Sequence, residues 1–518
     1  MANAVYPPYP PTLTQAEQEY LLTNLKDWSI THGLAVRPTS SYVAEDLDPA
    51  RALATTAPAT LFPSLFPRSC FEQARAVSQA YSELYSAIAA DEEWLSEIVK
   101  ELLEIDDFIE KLWKVHLAVK KEGYAQSLQL GLFRSDYMGH VSDSDSDSRL
   151  SVKQVEFNTI ASSFGGLSSQ VAALHRYLHS VDAYPEVTSS LINDASLQSS
   201  GSVPELASGL AKAHQAYVES ERTDRPVCVL FLVQDVERNV FDQRHLEYAL
   251  NTDHGIRTFR LPFSQVLQDT SLDKNRKLLY TPPSLSGKQW EVSVVYFRAG
   301  YAPTEYTAQR DWDARLHIER SAAIKCPGIL THLAGSKKVQ QVLATPHSPH
   351  LARFLPDKAA ADKLLATFAP IYPLDDSEAG LEARKLATDP QTAQKYVLKP
   401  QREGGGNNIY RSEIPGFLQN LPKAKWPAYI LMEMIEPPTQ GNAIFRNGEV
   451  QSGEVICELG VYGACLWRDK VENGVVKGRD VLENFEAGYL LRTKGAGSSE
   501  GGVAAGFGSV DSCCLLDL

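Results

Sequence analysis

Three consecutive glycines follow an apolar segment in YVLKPQREGGGNNIY, residues 396–410. Glycines at 404–406 let backbone N–H groups approach a ligand that no side chain shields, and successive N–H groups in such a turn form an anion-binding concavity. Lys399 supplies mobile positive charge, and Glu403 supplies the hard oxygen that a divalent cation prefers. The segment therefore predicts a loop that holds phosphate and Mg²⁺, with a flexible hairpin tip as the alternative.

A second polar pair, Glu156 and Asn158, lies in the alternating segment KQVEFN, residues 153–158. Strict alternation places Val155 and Phe157 on one face of a strand and the polar pair on the other. A carboxylate and an amide oxygen side by side suit Mg²⁺, which proteins usually hold with a few oxygens plus substrate phosphate. A polar edge-strand face explains the pair equally well when it is taken alone. The small-residue turn TIASSFGGL that follows, together with Glu403, favours the metal site.

Several other sequence patterns are excluded. The chain contains no GxxxxGK[ST] sequence, no GxGxxG after an apolar strand, and no HRD and DFG pair. The segment VSDSDSDSR, residues 141–149, has aspartates at the spacing of a calcium loop, but Ser148 and Gln154 stand where that motif has glycine and glutamate. We expect a solvated loop tip there.

Composition restricts the partners. The 518 residues carry 50 basic and 64 acidic side chains, a net charge of −14, without a large basic block, so nucleic acid is not an expected partner. Seven cysteines form no CxxC pair, which predicts reduced thiols and a cytoplasmic location. The most apolar stretch, residues 227–233, is too short to span a membrane, and the N-terminal residues do not resemble a secretory signal.

The hydrophobic pattern predicts a mixed α/β protein. Thr14 and Glu17 form a capping-box pattern in a helical first third, and one long helix is expected from about Glu92 to Val115. Apolar strands at 226–234 and 291–298 bracket a helix near 243–250, which indicates a small unit with a parallel sheet. We therefore predict three regions: a helical region with the first part of the main domain (1–225), an inserted substrate-binding α/β domain (226–334), and the remainder of the main domain with its glycine-rich loops (335–518).

Lysines, a glycine-rich loop and carboxylates from separate strands resemble the ATP-grasp ligases. The resemblance becomes specific across nearly the whole chain, where the motifs of eukaryotic-type glutathione synthetase occur in order: VEFNTIASSFGGL, ERNVFDQR, VYFRAGYAP, LAGSKKVQQVL, VLKPQREGGGNN, ILMEMIEP, ELGVYG and LLRTKGAGSSEGGVAAG. The resemblance implies an ATP-grasp fold with a helical N-terminal region, a glycine-rich lid and an inserted smaller domain. It also implies ATP- and Mg²⁺-dependent ligation of γ-glutamylcysteine to glycine in glutathione biosynthesis, by a homodimer.

The resemblance assigns roles to individual residues. The implied magnesium ligands are Glu156, Asn158 and Glu403. The implied catalytic residues are Arg134, Arg492, Lys337 and Lys399. The implied ATP contacts are Glu156, Lys337, Lys399, Pro400, Gln401, Arg402, Glu403, Gly404, Gly405, Gly406, Asn407, Asn408, Tyr410, Met432, Glu433, Met434, Ile435, Glu458, Lys494 and Glu500. The implied contacts with the dipeptide and the amine acceptor are Arg134, Ile160, Ala161, Ser162, Ser163, Glu237, Arg238, Asn239, Gln243, Arg298, Ala299, Gly300, Tyr301, Arg492, Val503 and Ala504.

Two positions depart from the family pattern. Met434 stands where a lysine is common, which matters little if this segment binds adenine through its backbone. Glu500 stands where an aspartate is common, so the charge is kept while the side chain reaches further. The alternatives are a related ligase that uses another amine such as β-alanine, and an ATP-binding protein that no longer turns over.

The glycine-rich segment generates a first prediction. Gly405→Val should lower the turnover rate far more than it lowers thermal stability, because a β-branched side chain opposes positive φ and close phosphate approach. Steady-state rates and a thermal melt of the purified variant test this. A collapse of stability would show instead that the glycines serve the fold.

Overall fold

The computed structural model of the protein describes residues 5–141, 150–221, 223–285, 287–401, 407–498 and 508–518. The α-helices are α1 Gln15–Thr31, α2 Arg68–Ala76, α3 Ser78–Ala89, α4 Glu92–Lys100, α5 Asp107–Glu122, α6 Gly165–Ser180, α7 Ser202–Ser220, α8 Val240–His254, α9 Val266–Asp269, α10 Gln309–Glu319, α11 Ile329–Ala334, α12 Lys337–Ala344, α13 Leu351–Phe354, α14 Lys358–Leu365, α15 Glu378–Thr388 and α16 Glu413–Asn420.

The β-strands are β1 Ala35–Val36, β2 Thr55–Thr56, β3 Ala59–Thr60, β4 Ser64–Pro67, β5 Leu128–His140, β6 Ser151–Asn158, β7 Val227–Val233, β8 Thr258–Pro262, β9 Thr270–Leu272, β10 Leu278–Tyr280, β11 Trp290–Phe297, β12 Ile324–Cys326, β13 Ile371–Pro373, β14 Tyr396–Pro400, β15 Ile409–Tyr410, β16 Tyr429–Glu433, β17 Gln440–Arg446, β18 Glu449–Glu472, β19 Val475–Gly495, β20 Ser509–Asp511 and β21 Cys513–Leu516. The mixed α/β class is confirmed.

Among the N-terminal helices, the capping box expected at α1 is present, whereas two helices occupy the range where one long helix was expected. The Thr14 side chain accepts a hydrogen bond from the Glu17 N–H, and the Glu17 carboxylate accepts one from the Thr14 N–H, so the capping box is confirmed. The single helix expected from Glu92 to Val115 is wrong, because α4 ends at Lys100 and α5 begins at Asp107. Asp106 caps the N-terminus of α5, so α4 and α5 are two separate helices.

The longest sheet, hereafter the central sheet, has the strand order β17-β3-β20-β19-β18-β5-β6 and is antiparallel except where β3 and β20 pair in parallel. The hairpin of β18 and β19 is its longest part, and β5 and β6 extend the sheet beyond β18. The register between β5 and β6 shifts at Asp136/Tyr137, which leaves Val155 without an opposite residue. Val155 therefore does not share the face of Phe157, and the strict alternation expected for KQVEFN is wrong at this bulge.

A smaller antiparallel sheet, β13-β16-β14-β15, faces the central sheet. Successive side chains along β14 and β16 alternate between the two faces of this sheet. Leu398 and Leu431 belong to an apolar cluster with residues of α15 and α16. Val397 and Met432 belong to a different cluster on the opposite face. The period of two thus turns every second residue of these strands toward the space between the sheets.

A third sheet contains the parallel strands expected from the continuous apolar runs. Strand β7 pairs in parallel with β8 and β11, and β11 pairs in parallel with β12. Helix α8 connects β7 to β8, and α7 packs beside α8. The limits of the inserted domain at 226 and 334 remain a prediction. In the part of the chain that the structure describes, no helix is long and apolar enough to cross a membrane.

The restart at α5 generates a stability prediction. The Asp106 carboxylate accepts hydrogen bonds of 3.1 Å from the N–H groups of Phe108 and Ile109 and is buried. Asp106→Ala should lower the free energy of unfolding by about 1–2 kcal/mol, because two helix N–H groups lose their acceptor. Asp107→Ala, at the exposed next position, is the matched control in urea denaturation. Equal losses in the two variants would contradict the capping role.

Candidate active site

A cavity of about 400 Å³ lies between the central sheet and the smaller antiparallel sheet, within the range of about 300–1,000 Å³ common for small-molecule sites. Strands β5, β6, β18 and β19 supply one wall and β14, β15 and β16 supply the other, with the first residue of α12 between them. It brings together these residues proposed from the sequence: Glu156, Lys337, Lys399, Pro400, Asn407, Asn408, Tyr410, Met432, Glu433, Met434, Ile435, Glu458, Arg492 and Lys494.

Part of the cavity wall is apolar and continuous. Its residues pack in one cluster, hereafter the apolar cluster, whose cavity-lining members are Met138, Val155, Val397, Tyr410, Met432, Met434 and Ile435. Met138, Val155 and Val397 were not among the site residues predicted from the sequence, although the alternation along β14 could have indicated Val397 from the position of Lys399. This wall suits a flat, uncharged ring.

The segment 432–435, hereafter the hinge, forms the edge of the apolar cluster where β16 ends. Backbone hydrogen bonds fix it: the Glu433 N–H donates to Pro370 O at 3.0 Å, and the Met434 N–H donates to Lys395 O at 2.8 Å. The Tyr372 hydroxyl donates to the Glu433 carboxylate at 2.8 Å. The Met434 side chain lines the cavity and takes no part in these backbone hydrogen bonds.

The remaining wall is charged, and its lysines are buried. Lys337 and Lys399 are 4% and 5% exposed. Lys337 Nζ lies 2.7 Å from Glu156 Oε2, and Lys399 Nζ donates to Val155 O at 3.1 Å. The bulge at Val155 turns this carbonyl toward Lys399. Burial raises the pKa of Glu156, but Lys337, Lys399 and Arg492 outweigh burial and hold it below its usual value. Glu156 is therefore ionised at neutral pH, beside two ammonium groups.

Two arginines meet on the central sheet. Arg134 on β5 and Arg492 on β19 both donate to Asp136, with Arg134 Nε 2.6 Å from Oδ1 and Arg492 Nη2 2.9 Å from Oδ2. Arg492 also forms an ion pair with Glu458. Burial raises the pKa of Glu458, with the charges of Asp136 and Glu156 acting in the same direction against Arg492. The sequence reasoning missed Asp136, although it lies two residues after Arg134 and so on the same face of the strand.

Of the proposed metal ligands, the structure describes Glu156 and Asn158, which lie close together at the end of β6. The Asn158 amide nitrogen donates to Asp136 Oδ2 at 3.0 Å. A carboxylate can only accept, so this contact identifies the nitrogen and directs the amide oxygen away from Asp136. In the described ranges no group of three or more His, Cys, Asp or Glu side chains could hold a metal ion by itself.

The turn at 160–163 is held by carbonyl contacts from buried side chains. Arg298 Nη1 donates to Ser162 O at 2.9 Å, and Arg134 Nη1 donates to Ser163 O at 3.0 Å. The Tyr462 hydroxyl also donates to Ser163 O, at 2.6 Å. Ala161 has φ 52° and is followed three residues later by Phe164 at φ 73°. Such left-handed backbone at residues other than glycine persists only where the surroundings fix it, as the buried donors do here.

The segments 237–243 and 298–301 join this turn through Asp242. The Asp242 carboxylate accepts from the N–H groups of Phe164 and Gly166 and from the Asn239 amide, and lies 3.7 Å from Arg298 Nη2. Nearby, Gln243 Nε2 donates to Glu237 Oε2 at 2.6 Å. Sequence reasoning missed Asp242 inside ERNVFDQR. Three separate sequence motifs therefore form one polar site.

The rest of these segments is placed by neighbouring contacts. Glu305 accepts from the N–H groups of Gly300 and Tyr301, and the Tyr301 hydroxyl accepts from Gln234 Nε2 at 3.0 Å. Ala299 is fully buried, and Ile160 is 6% exposed. Arg238 Nε donates to Arg37 O at 3.3 Å, so this side chain contacts the N-terminal region.

Some proposed residues lie away from the cavity or outside the description. The Gln401 side chain accepts from the Lys338 N–H at 3.0 Å and does not line the cavity between the sheets. The proposed residues outside the described ranges are Arg402, Glu403, Gly404, Gly405, Gly406, Glu500, Val503 and Ala504.

Comparison with known proteins gives a consistent result. Residues 15–515 match the family model described as eukaryotic glutathione synthase, ATP binding domain. The chain is 39% identical to the glutathione synthetase large chain of Schizosaccharomyces pombe, covering 97% of this chain and 99% of that one. It is 38% identical to glutathione synthetase of Homo sapiens, covering 95% and 96%.

A solved structure shows the same fold. A glutathione synthetase-like effector from Globodera pallida in its apo form superposes with a TM-score of 0.72 at 22% identity, covering 99% of this chain and 100% of that chain. With the family model spanning residues 15–515 and relatives matching over nearly their full length, this chain belongs to the eukaryotic glutathione synthetase family.

Proposed function

We propose that this chain joins the cysteinyl carboxylate of γ-glutamylcysteine to the amine of glycine, using ATP and Mg²⁺, and forms glutathione, ADP and phosphate. The observation that carries the proposal is the cavity in which the apolar cluster adjoins the buried Lys337 and Lys399. The apolar cluster suits the flat adenine base of ATP, and the lysines beside it suit the phosphate chain. The family supplies the identity of the amino-acid substrates.

In this proposal the adenine of ATP lies on the apolar cluster beside the hinge. The hinge backbone is fixed by the contacts of Glu433 and Met434 with Pro370 and Lys395 before any nucleotide binds. A preorganised backbone recognises adenine without a basic side chain. The methionine that replaces the family's common lysine is therefore compatible with ATP binding.

The reaction needs positioning and charge neutralisation rather than a protein nucleophile. The substrate carboxylate oxygen attacks the γ-phosphorus and ADP leaves, and the glycine nitrogen then attacks the acyl carbon while the bond to phosphate breaks and the amine loses a proton. Lys337 and Lys399 bind phosphoryl oxygens, and Arg134 and Arg492 bind the carboxylate and the charge that develops on it. Because acyl phosphates hydrolyse, the glycine-rich loops are assigned to the exclusion of water.

Glu156, Asn158 and Glu403 are the proposed magnesium ligands. The donor set fits a hard cation, because Glu156 is ionised at neutral pH and the amide oxygen of Asn158 is directed away from Asp136. When bound, Mg²⁺ neutralises phosphate charge and orients the phosphoryl group. Glu403 rests on the sequence alone.

The γ-glutamyl end of the dipeptide is assigned to the polar site joined through Asp242. Arg298 supplies a buried guanidinium there, and Glu237 and Gln243 supply an acceptor and an amide. An amino-acid group carries one carboxylate and one ammonium, and this set matches both. A homodimer and a cytoplasmic location are also proposed, the latter supported by seven cysteines that are all buried and unpaired.

Phosphate release tests the function directly. The purified protein is incubated with Mg²⁺-ATP and γ-glutamylcysteine alone, glycine alone, or both. We expect release only with both, together with tripeptide detected by mass spectrometry. Release with β-alanine in preference to glycine would identify a ligase of another acceptor, and no release with either amine would identify a binding protein.

The charged wall generates a prediction about Glu156. Glu156→Gln should reduce kcat by more than about 100-fold at saturating Mg²⁺, because it removes an anionic metal ligand. The matched control is Glu101→Gln, since Glu101 forms a 2.8 Å ion pair with Lys338, the residue next to Lys337. Comparable losses in both variants would mean that the ion pairs of α12, rather than metal binding, govern the rate.

The acceptor site generates a further prediction. Small residues at 503–505 follow paired glycines, and a pocket of this kind discriminates one methylene by only about 1–3 kcal/mol. We expect glycine to be preferred and β-alanine to be used slowly, and expect Ala504→Leu and Ala505→Leu to change the ratio of kcat/KM for the two amines. A competition assay measures the ratio. An unchanged ratio with a large shift in the dipeptide KM would place this segment at the donor instead.

A further inference from the structure

Asp136 is a buried carboxylate at the centre of the charged wall. It lies on β5, opposite Glu156 on β6 and Gly460 on β18, and its side chain is fully buried. In addition to the contacts of Arg134 Nε and Arg492 Nη2, its Oδ2 accepts from Arg134 Nη2 at 2.9 Å. The Asn158 amide completes the set. Within the described residues, every hydrogen-bond donor to this carboxylate belongs to a residue already assigned to the reaction.

Gly460 on β18 leaves space for the side chains of Arg134 and Asp136, because it carries no side chain of its own. A Cβ added to Gly460 would lie 2.8 Å from both Arg134 Cδ and Asp136 Oδ1. Such a contact is closer than carbon and oxygen atoms tolerate, so the pair would have to move. The glycine on β18 therefore lets Arg134 and Asp136 lie flat against the sheet, with the guanidinium held by two of its nitrogens.

The charges explain why a carboxylate is needed there. Arg134 and Arg492 both contact the same oxygen of Asp136 and so lie close together. Two guanidinium groups in a buried site repel each other, and one shared anion relieves this repulsion while it fixes both orientations. An amide at position 136 would keep one acceptor oxygen but supply no charge, and an apolar side chain would supply neither.

We propose that Asp136 is a positioning residue, which holds Arg134 and Arg492 toward the substrate carboxylate and turns the amide oxygen of Asn158 toward the metal ion. The inference rests on the proposed function, since it gives these three residues their substrate and metal. It adds the residue through which all three act together. Outer contacts of this kind orient ligands and are as necessary as the ligands themselves.

Two variants and two matched controls test the proposal. Asp136→Asn removes the charge at nearly constant volume, and Gly460→Ala displaces the pair without removing any charge. Gly453→Ala is the control on the same strand, because a Cβ there meets nothing within 4 Å. Asp469→Asn is the control for loss of a hydrogen-bonded carboxylate elsewhere on the strand, since Asp469 Oδ1 accepts from Trp467 Nε1 on the far part of β18.

The measurements separate positioning from folding. Mn²⁺ binding in the presence of a non-hydrolysable ATP analogue is followed by electron paramagnetic resonance, and KM is measured for ATP, the dipeptide and glycine. For Asp136→Asn we expect Mn²⁺ affinity to fall by about 10–100-fold and the KM values of the dipeptide and glycine to rise. The KM for ATP should change by less than about threefold, because the hinge lies on the other sheet. Gly460→Ala should follow the same pattern, and both controls should resemble the wild type.

Each result of these measurements either supports or overturns the proposed positioning role of Asp136. A folded Asp136→Asn with wild-type Mn²⁺ affinity and wild-type KM values overturns the proposal, as does an equal rise in all three KM values. If Asp136→Asn does not fold, Gly460→Ala decides: the expected pattern supports the proposal, and behaviour like Gly453→Ala overturns it. If the wild type forms no glutathione, the proposed function fails, while the Mn²⁺ titration still shows whether Asp136 orients Asn158.

Discussion

Charged side chains lie buried between two sheets in this protein, and Lys337 and Arg492 are stable there because opposite charges lie at hydrogen-bonding distance. Removing one partner of such a pair costs about 3–5 kcal/mol, because the other charge is left unpaired. Lys337 is paired with Glu156, and Arg492 is paired with Asp136 and Glu458. The positions of β5, β6, β18 and β19 are thus constrained by the electrostatics of the site as well as by their core residues.

This arrangement prepares the cavity for anions. The lysine ammonium groups are already desolvated and oriented, so a phosphate chain that enters does not have to reorganise them. The apolar cluster beside them offers a dry surface with no charge. In the proposed function, the contrast between the two walls orients the nucleotide, with the base at the hinge and the phosphates at β6 and α12.

The second polar site depends on a different kind of support. The turn at 160–163 is fixed because Arg134, Arg298 and Tyr462 donate hydrogen bonds to its carbonyl groups. Asp242 then ties this turn to α8 and to the end of β11. Arg134 contacts both this turn and Asp136, so it connects the proposed dipeptide site with the proposed metal site.

The amino-acid sequence by itself determined the α/β class, the helix start at Thr14, the family and most of the residues that line the cavity. It could do so because capping, alternation along β14 and the glycine-rich segment are local, and because long motifs identify relatives. It did not separate α4 from α5, because the hydrophobic stripe continues across the break that Asp106 makes. Tertiary structure alone decided the bulge at Val155, which depends on pairing with β5, and the contacts of Asp136. A buried aspartate on a strand gives no local signal, and its contacts form only when β6, β18 and β19 bring Asn158, Gly460 and Arg492 to the same point.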